Sequence, residues 1–100
     1  MNMQALMQQA QKMQREMEKA QKDLEAKEFE IISAGGGIKV TITGKKLIKN
    51  IEIDEDIIDP EEKDMLQDMI VVAINEAISK VISEEQKIVE YTEKLKVLMS

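Results

Sequence analysis

The feature that most restricts this chain is a hydrophobic period that changes twice. From Met3 to Leu24 the apolar positions Met3, Leu6, Ala10, Met13, Met17, Ala20 and Leu24 are separated by steps of three and four, the repeat of an amphipathic helix with a narrow seam. The segment has no Gly or Pro and is rich in Gln, Lys, Glu, Met and Ala, all good helix formers, which predicts a first helix over about residues 3–26. The period then drops to two. Phe29 and Ile31 precede the run Gly35-Gly36-Gly37, and Ile38, Val40 and Ile42 alternate with Lys39, Thr41 and Thr43 after it. A second turn at Gly44-Lys45-Lys46 leads to Ile51 and Ile53, which alternate with Asn50, Glu52 and Asp54. Three antiparallel strands over about residues 28–54 follow, with one apolar face that another element must cover.

At Asp59-Pro60 the helical period returns. Asp59 suits the N-cap, Pro60 the first helical position, and Glu62 the reciprocal partner of a capping box. The predicted second helix runs over about residues 60–99. Its first half, Met65 to Ile82, is apolar over too wide a band for one seam and should meet both the sheet and another helix. From Val81 the band narrows to Val81, Ile88, Tyr91, Leu95 and Leu98, and a continuous helix would span roughly 60 Å, far beyond the sheet. The expectation is a single α+β domain over residues 1–100: helix, three-stranded antiparallel β-meander, long C-terminal helix. At 100 residues so extended a shape would gain from a partner, and a dimer is expected.

Composition removes most chemistry. The chain has no Cys and no His, so disulfides, thiolate nucleophiles, the usual zinc ligands and imidazole acid–base catalysis are absent. An enzyme is not expected, nor a cofactor, metal or small-molecule substrate. Phe29 and Tyr91 are the only aromatics, too few for stacking platforms on single-stranded nucleic acid. No run approaches the roughly 18 apolar residues of a membrane span, and the N-terminus does not read as a signal region, which points to the cytoplasm. The net charge of −6 opposes simple attraction to phosphate, but its distribution is uneven: +1 over residues 1–27, −2 over 28–58 and −5 over 59–100.

On the first helix, 100° per residue brings Lys12, Arg15, Lys19 and Lys22 within about 80° of one another, roughly opposite the seam. Gln4 and Gln8 extend this stripe toward the N-terminus. Exposed cations in line, with neutral amides beside them, are what phosphate oxygens require. The same stripe also fits a solvated helix face laced by local ion pairs around Arg15, Glu18 and Lys19. Lys80, Lys87 and Lys94, at seven-residue spacing, form a second line on the second helix, or else the charged edge of a coiled coil. Lys39, Lys45, Lys46 and Lys49 cluster on the central strands and turn, where lysine also protects sheet edges.

Other motifs read as structural. The Gly35–Gly37 run joins two strands, lacks the phosphate-loop spacing, and reads as a hairpin turn. The carboxylates Asp54, Glu55, Asp56, Asp59, Glu61 and Glu62 do not follow a calcium-loop pattern and read as caps and solubilising charge. Most of the eight methionines fall on the helix seams, as packing residues.

The segments "MQALMQQAQKMQREMEKAQKDLEAKEFE", "GGGIKVTITGKKLIKNIEID" and "DPEEKDMLQDMIVVAINEAISK" carry a resemblance. Their Met/Gln-rich helix, "VTITG" and "IEID" strands and the arrangement of Leu66, Asp68, Ala73, Asn75 and Ala77 resemble the YbaB/EbfC family over about residues 3–85. The resemblance implies a bacterial nucleoid-associated protein of the cytoplasm and nucleoid. It implies a tweezer-like homodimer joined through its sheet region, with protruding helical arms that bind duplex DNA at low sequence specificity and affect gene expression and nucleoid organisation. It also implies DNA contacts from both terminal helices, which map onto Lys12, Arg15, Lys19 and Lys22, and onto Lys87 and Lys94. The chain departs from many members in lacking a Gly/Pro-rich tail that closes in a Phe-containing segment. If eight charges from two first helices all met phosphates, the salt slope would reach about −7, and acidic neighbours should make it shallower. The alternative is a dimeric protein-interaction or scaffolding module with coiled-coil-like arms and no DNA binding.

Overall fold

The chain forms helix α1 (Met3–Ala26), strands β1 (Glu28–Ser33), β2 (Ile38–Thr43) and β3 (Ile48–Ile53), and helix α2 (Lys63–Met99) in a computed structural model. The structure describes residues 2–99; the side chains of residues 95, 98 and 99 lie outside the described residues, and with them the expected seam positions Leu95 and Leu98.

Each element begins and ends for a local reason. Asn2 caps α1 by accepting the backbone N–H of Gln4 at 3.0 Å. The helix stops at Lys27, whose backbone is extended (φ −78°, ψ 154°) and leads straight into β1. Between β1 and β2 the chain reverses through a short 3₁₀ turn with three successive positive φ angles, at Ala34 (52°), Gly35 (62°) and Gly36 (96°), a geometry glycine adopts without strain. Asp59 caps the second helical region by accepting from Glu61 N–H at 3.0 Å. Here the sequence reading needs a correction: Pro60–Glu62 is a 3₁₀ turn, α2 proper starts at Lys63, and Glu62 uses its backbone N–H on the Asp59 carbonyl (2.9 Å). The tighter turn satisfies the first donors without the reciprocal capping-box bond.

The sheet is an antiparallel meander in the order β1-β2-β3. Its register places Phe29 opposite Ile42, Ile31 opposite Val40, Ser33 opposite Ile38, and Ile53 and Ile51 opposite Ile38 and Val40. All these side chains therefore share one face. A bulge after Thr41 sets Ile42 opposite Ile48, leaving Lys49 as the extra residue of β3.

The core lies between that face and α2. Ile38, Val40 and Ile42 are fully buried against Ala73, Ala77 and Val81, which recur every four residues on one side of the helix. The two alanines let α2 lie close to β2, and each large aliphatic chain removed from water contributes about 1.5–3 kcal/mol. Phe29, Ile31, Met69, Ile70 and Ile78 close the margins.

Beyond the sheet α2 packs along α1, and the two helices form one arm. The molecule measures 71 × 21 × 16 Å with a radius of gyration of 19.9 Å, against roughly 13 Å for a compact chain of this length. The sequence expectation that the first half of α2 meets both the sheet and a helix is half met within one chain. The sheet takes Ala73, Ala77 and Val81, α1 packs farther along α2, and Met65, Val71 and Val72 remain at least half exposed.

Candidate nucleic-acid interface

The geometry of the arm follows from how α1 is held. Its C-terminal Leu24 is buried, and Lys27 O accepts from Gly44 N–H at 3.0 Å in the β2–β3 turn. Farther out, Tyr91 of α2 donates its hydroxyl to Glu16 Oε2 at 2.7 Å, and the Thr92 hydroxyl, 3.1 Å from the Ile88 carbonyl oxygen of its own helix, lies 3.3 Å from the sulfur of Met17. Both contacts lie where the predicted seams meet, so the helices pair antiparallel within one chain. The Glu16 carboxylate raises the Tyr91 hydroxyl above its ordinary pKa, because the bond favours the protonated phenol; partial desolvation acts in the same direction.

This pairing turns the seam of α1 toward α2 and leaves Lys12, Arg15, Lys19 and Lys22 on its outer side, all exposed. None of the four side chains makes an ion pair or hydrogen bond among the described residues. The local pairing considered from sequence around Arg15, Glu18 and Lys19 is not formed. Of the neighbouring acids, Glu16 holds Tyr91 and Glu25 accepts the Gln21 amide at 3.5 Å, while Glu18 and Asp23 make no ion pair among the described residues.

The second basic line differs. Lys80 and Lys87 both approach Glu84 Oε1, at 3.3 and 3.1 Å. Their hydrogen bonds, that of Lys87 first and of Lys80 next, hold the Glu84 carboxyl below its ordinary pKa. Lys94 is exposed, with no ion pair among the described residues. The structure thus places Lys87 in a paired cluster and Lys94 farther out on the arm.

The lysines of the sheet do not form a common patch. Lys39 lies between Glu30 (3.5 Å) and Glu52 (4.0 Å) on the polar face, and Lys49 pairs with Glu28. Lys46 reaches Glu85 on α2 at 3.1 Å, which ties the β2–β3 turn to the base of the arm. Sequence reasoning did not find this tie, the Tyr91–Glu16 bond or the Gly44 contact. Tyr91 was visible as a seam residue, but its partner lies 75 residues away.

Among the described residues no group of acidic side chains converges in a way that could hold a metal ion. Asp54 and Asp59 cap the N–H groups of Asp56 and Glu61. No helix among the described residues is long and apolar enough to cross a membrane.

Comparison with known proteins gives this arrangement a context. A nucleoid-associated protein of Ruminiclostridium cellulolyticum is 54% identical over 79 residues, covering 79% of this chain and 69% of the relative. One of Enterococcus faecalis is 45% identical over 85 residues, covering 85% and 82%. The crystal structure of an uncharacterized protein from Helicobacter pylori superposes with a TM-score of 0.63 over 79% of this chain and 92% of that one; at 19% identity it speaks for the fold alone. The model of the YbaB/EbfC DNA-binding family matches residues 1–95, and the chain belongs to that family.

Proposed function

We propose that this protein binds duplex DNA as a homodimer with low sequence specificity, in the cytoplasm and nucleoid, and thereby affects nucleoid organisation and gene expression without catalysing a reaction. The observation that carries the reading is the contrast between cations. Lys39, Lys46, Lys49, Lys80 and Lys87 are each held by a carboxylate, whereas Lys12, Arg15, Lys19 and Lys22 line one side of a projecting arm with no ion pair among the described residues; Lys27, Lys45, Lys63, Lys94 and Lys96 are also without an ion pair there, but they sit in turns or near the ends of elements and not in one row along α1. Unpaired cations in a row are ready to replace the counterions of a phosphate backbone. The side chains of the stripe best suited to reading base edges are few, Arg15 and the amides of Gln4 and Gln8, and the rest are lysines that suit phosphate, which favours weak sequence preference.

The dimer rests on the apolar surface one chain leaves open. Met65 and Val72 line a shallow depression with Ser33, Ala34, Asp68 and Met69, and Val71, Ile32 and Ile58 are also exposed. A second copy covering this region would bury it and set two arms side by side.

A scaffolding module without DNA binding is favoured by a different observation, the apolar groove of Met3, Leu6, Met7 and Ala10 near the start of α1. The two readings separate in one experiment: anisotropy of a labelled duplex across a salt series, for the native protein and for the folded Lys12→Ala/Arg15→Ala/Lys19→Ala/Lys22→Ala variant. The DNA reading expects affinity that falls with salt, and a variant that binds more weakly with a shallower slope. Absence of native binding at low salt would refute it in favour of a protein partner.

A further inference from the structure

Among the described residues Glu84 is the one carboxylate that pairs with two lysines. One of its oxygens receives both Lys80 and Lys87, at 3.3 and 3.1 Å, from the preceding and following turns of α2. Its side chain is only 20% exposed, while those of the two lysines are 46% and 67% exposed. A carboxylate oxygen taking two ammonium groups presents them with what a phosphate oxygen would present.

The location matters as much as the pairing. Lys87 and Ile88 line a shallow cavity with Tyr91 of α2 and with Glu16 and Ala20 of α1. Going round α1 from its seam by helical geometry, Ala20 comes first, then Glu16, and the stripe begins with Lys12 about 40° farther on. Lys87 therefore stands across this cavity from the open stripe, on the same flank of the arm. A duplex lying along the stripe would have Lys87 as its next cation on that side.

We infer that Glu84 is an internal competitor for DNA phosphate, a residue that holds Lys80 and Lys87 out of the interface and keeps binding by the arm weak. The inference rests on the DNA-binding reading above. The lowered pKa of the Glu84 carboxyl agrees with it, since the same two lysines keep the group charged. Exposed ion pairs are individually weak, so the pairing can yield to phosphate at a cost and tunes affinity without abolishing it.

The test uses the isosteric variant Glu84→Gln, which keeps the shape and removes the charge. Its control is Glu93→Gln, an exposed acid of the same arm with no ion pair among the described residues. Both change net charge equally. Duplex affinity is measured by anisotropy across a salt series, and circular dichroism confirms that each variant is folded. Glu84→Gln should bind several-fold more tightly than Glu93→Gln at low salt, with a slope steeper by about 0.9 for each lysine that reaches a phosphate. Adding Lys80→Ala and Lys87→Ala to Glu84→Gln should remove the gain. Equal effects of the two glutamines, or a gain that survives loss of both lysines, overturn the role of Glu84 while native binding stands. If no form binds duplex even at low salt, the DNA reading falls and this inference falls with it.

Discussion

Gly44 and Leu24 meet backbone to backbone: a β-carbon on Gly44 would lie 1.7 Å from the carbonyl oxygen of Leu24 and 2.5 Å from its carbonyl carbon. The last turn of α1 is thereby seated directly on the β2–β3 turn, and the direction in which the arm leaves the sheet depends on the absence of one side chain. Lys46, two residues on, grips Glu85 of α2 from the same turn. Both helices of the arm are thus anchored to one short loop.

Gly44→Ala should consequently cost stability although alanine is the smallest change available. Overpacking typically costs about 1–3 kcal/mol, and the upper part of that range is expected because the obstacle is backbone and cannot rotate away. Urea unfolding would show a lower midpoint, and amide exchange at Leu24 to Lys27 should accelerate. A midpoint equal to that of the native protein would mean that α1 is not seated on this turn in solution.

The Tyr91–Glu16 bond predicts a loosening of the arm at alkaline pH. The folded-state pKa of Tyr91 is raised above the ordinary value of 10.0, so its contribution is intact below that value and is lost as pH rises through the folded one. The tyrosinate can no longer donate and repels the Glu16 carboxylate. With one tyrosine and no tryptophan in the chain, tyrosinate absorbance reports this group alone. Its midpoint should lie above that of free tyrosine in the native protein and return toward it in Glu16→Gln. Tyr91→Phe should abolish the alkaline loss of α1–α2 contact seen by amide exchange. An unshifted titration would remove the bond from the solution structure.

A dimer formed through the open apolar surface predicts that Val72→Glu separates the copies and leaves each folded. Val72 is 50% exposed within one chain, so a carboxylate there can stay hydrated in the isolated protomer but would be buried at the interface. Sedimentation should move from dimer toward monomer with unchanged helical circular dichroism. DNA affinity should fall as well, because two linked arms raise the effective concentration of the second contact. A variant that stays dimeric would place the interface elsewhere.

Much of this architecture was legible because it is written in local periods. The alternation at Ile38, Val40 and Ile42 names the buried face of β2, and the steps of three and four from Met3 to Leu24 name a seam of α1 in which Met13 and Met17 are partly covered and Leu24 is buried, while Met3 and Ala20 stay exposed. Asp59 is read as a cap because its bond is to a residue two positions away. Backbone geometry relates such neighbours whatever the rest of the chain does.

The tertiary structure decided the matters that depend on separate elements approaching one another. Lys12 and Lys87 read alike in sequence, as exposed cations on helical stripes. They differ in the fold: the acid nearest Lys12, Glu16, is turned to Tyr91, while Lys87 shares Glu84 with Lys80. Gly44 read as an ordinary turn glycine until Leu24, twenty positions earlier, came to rest against it. Periodicity assigns a side chain to a face of its own element. Which faces are covered, and which charges find a partner, follows from the packing of elements distant in the chain, because Coulomb and steric energies depend on separation in space and not along the sequence.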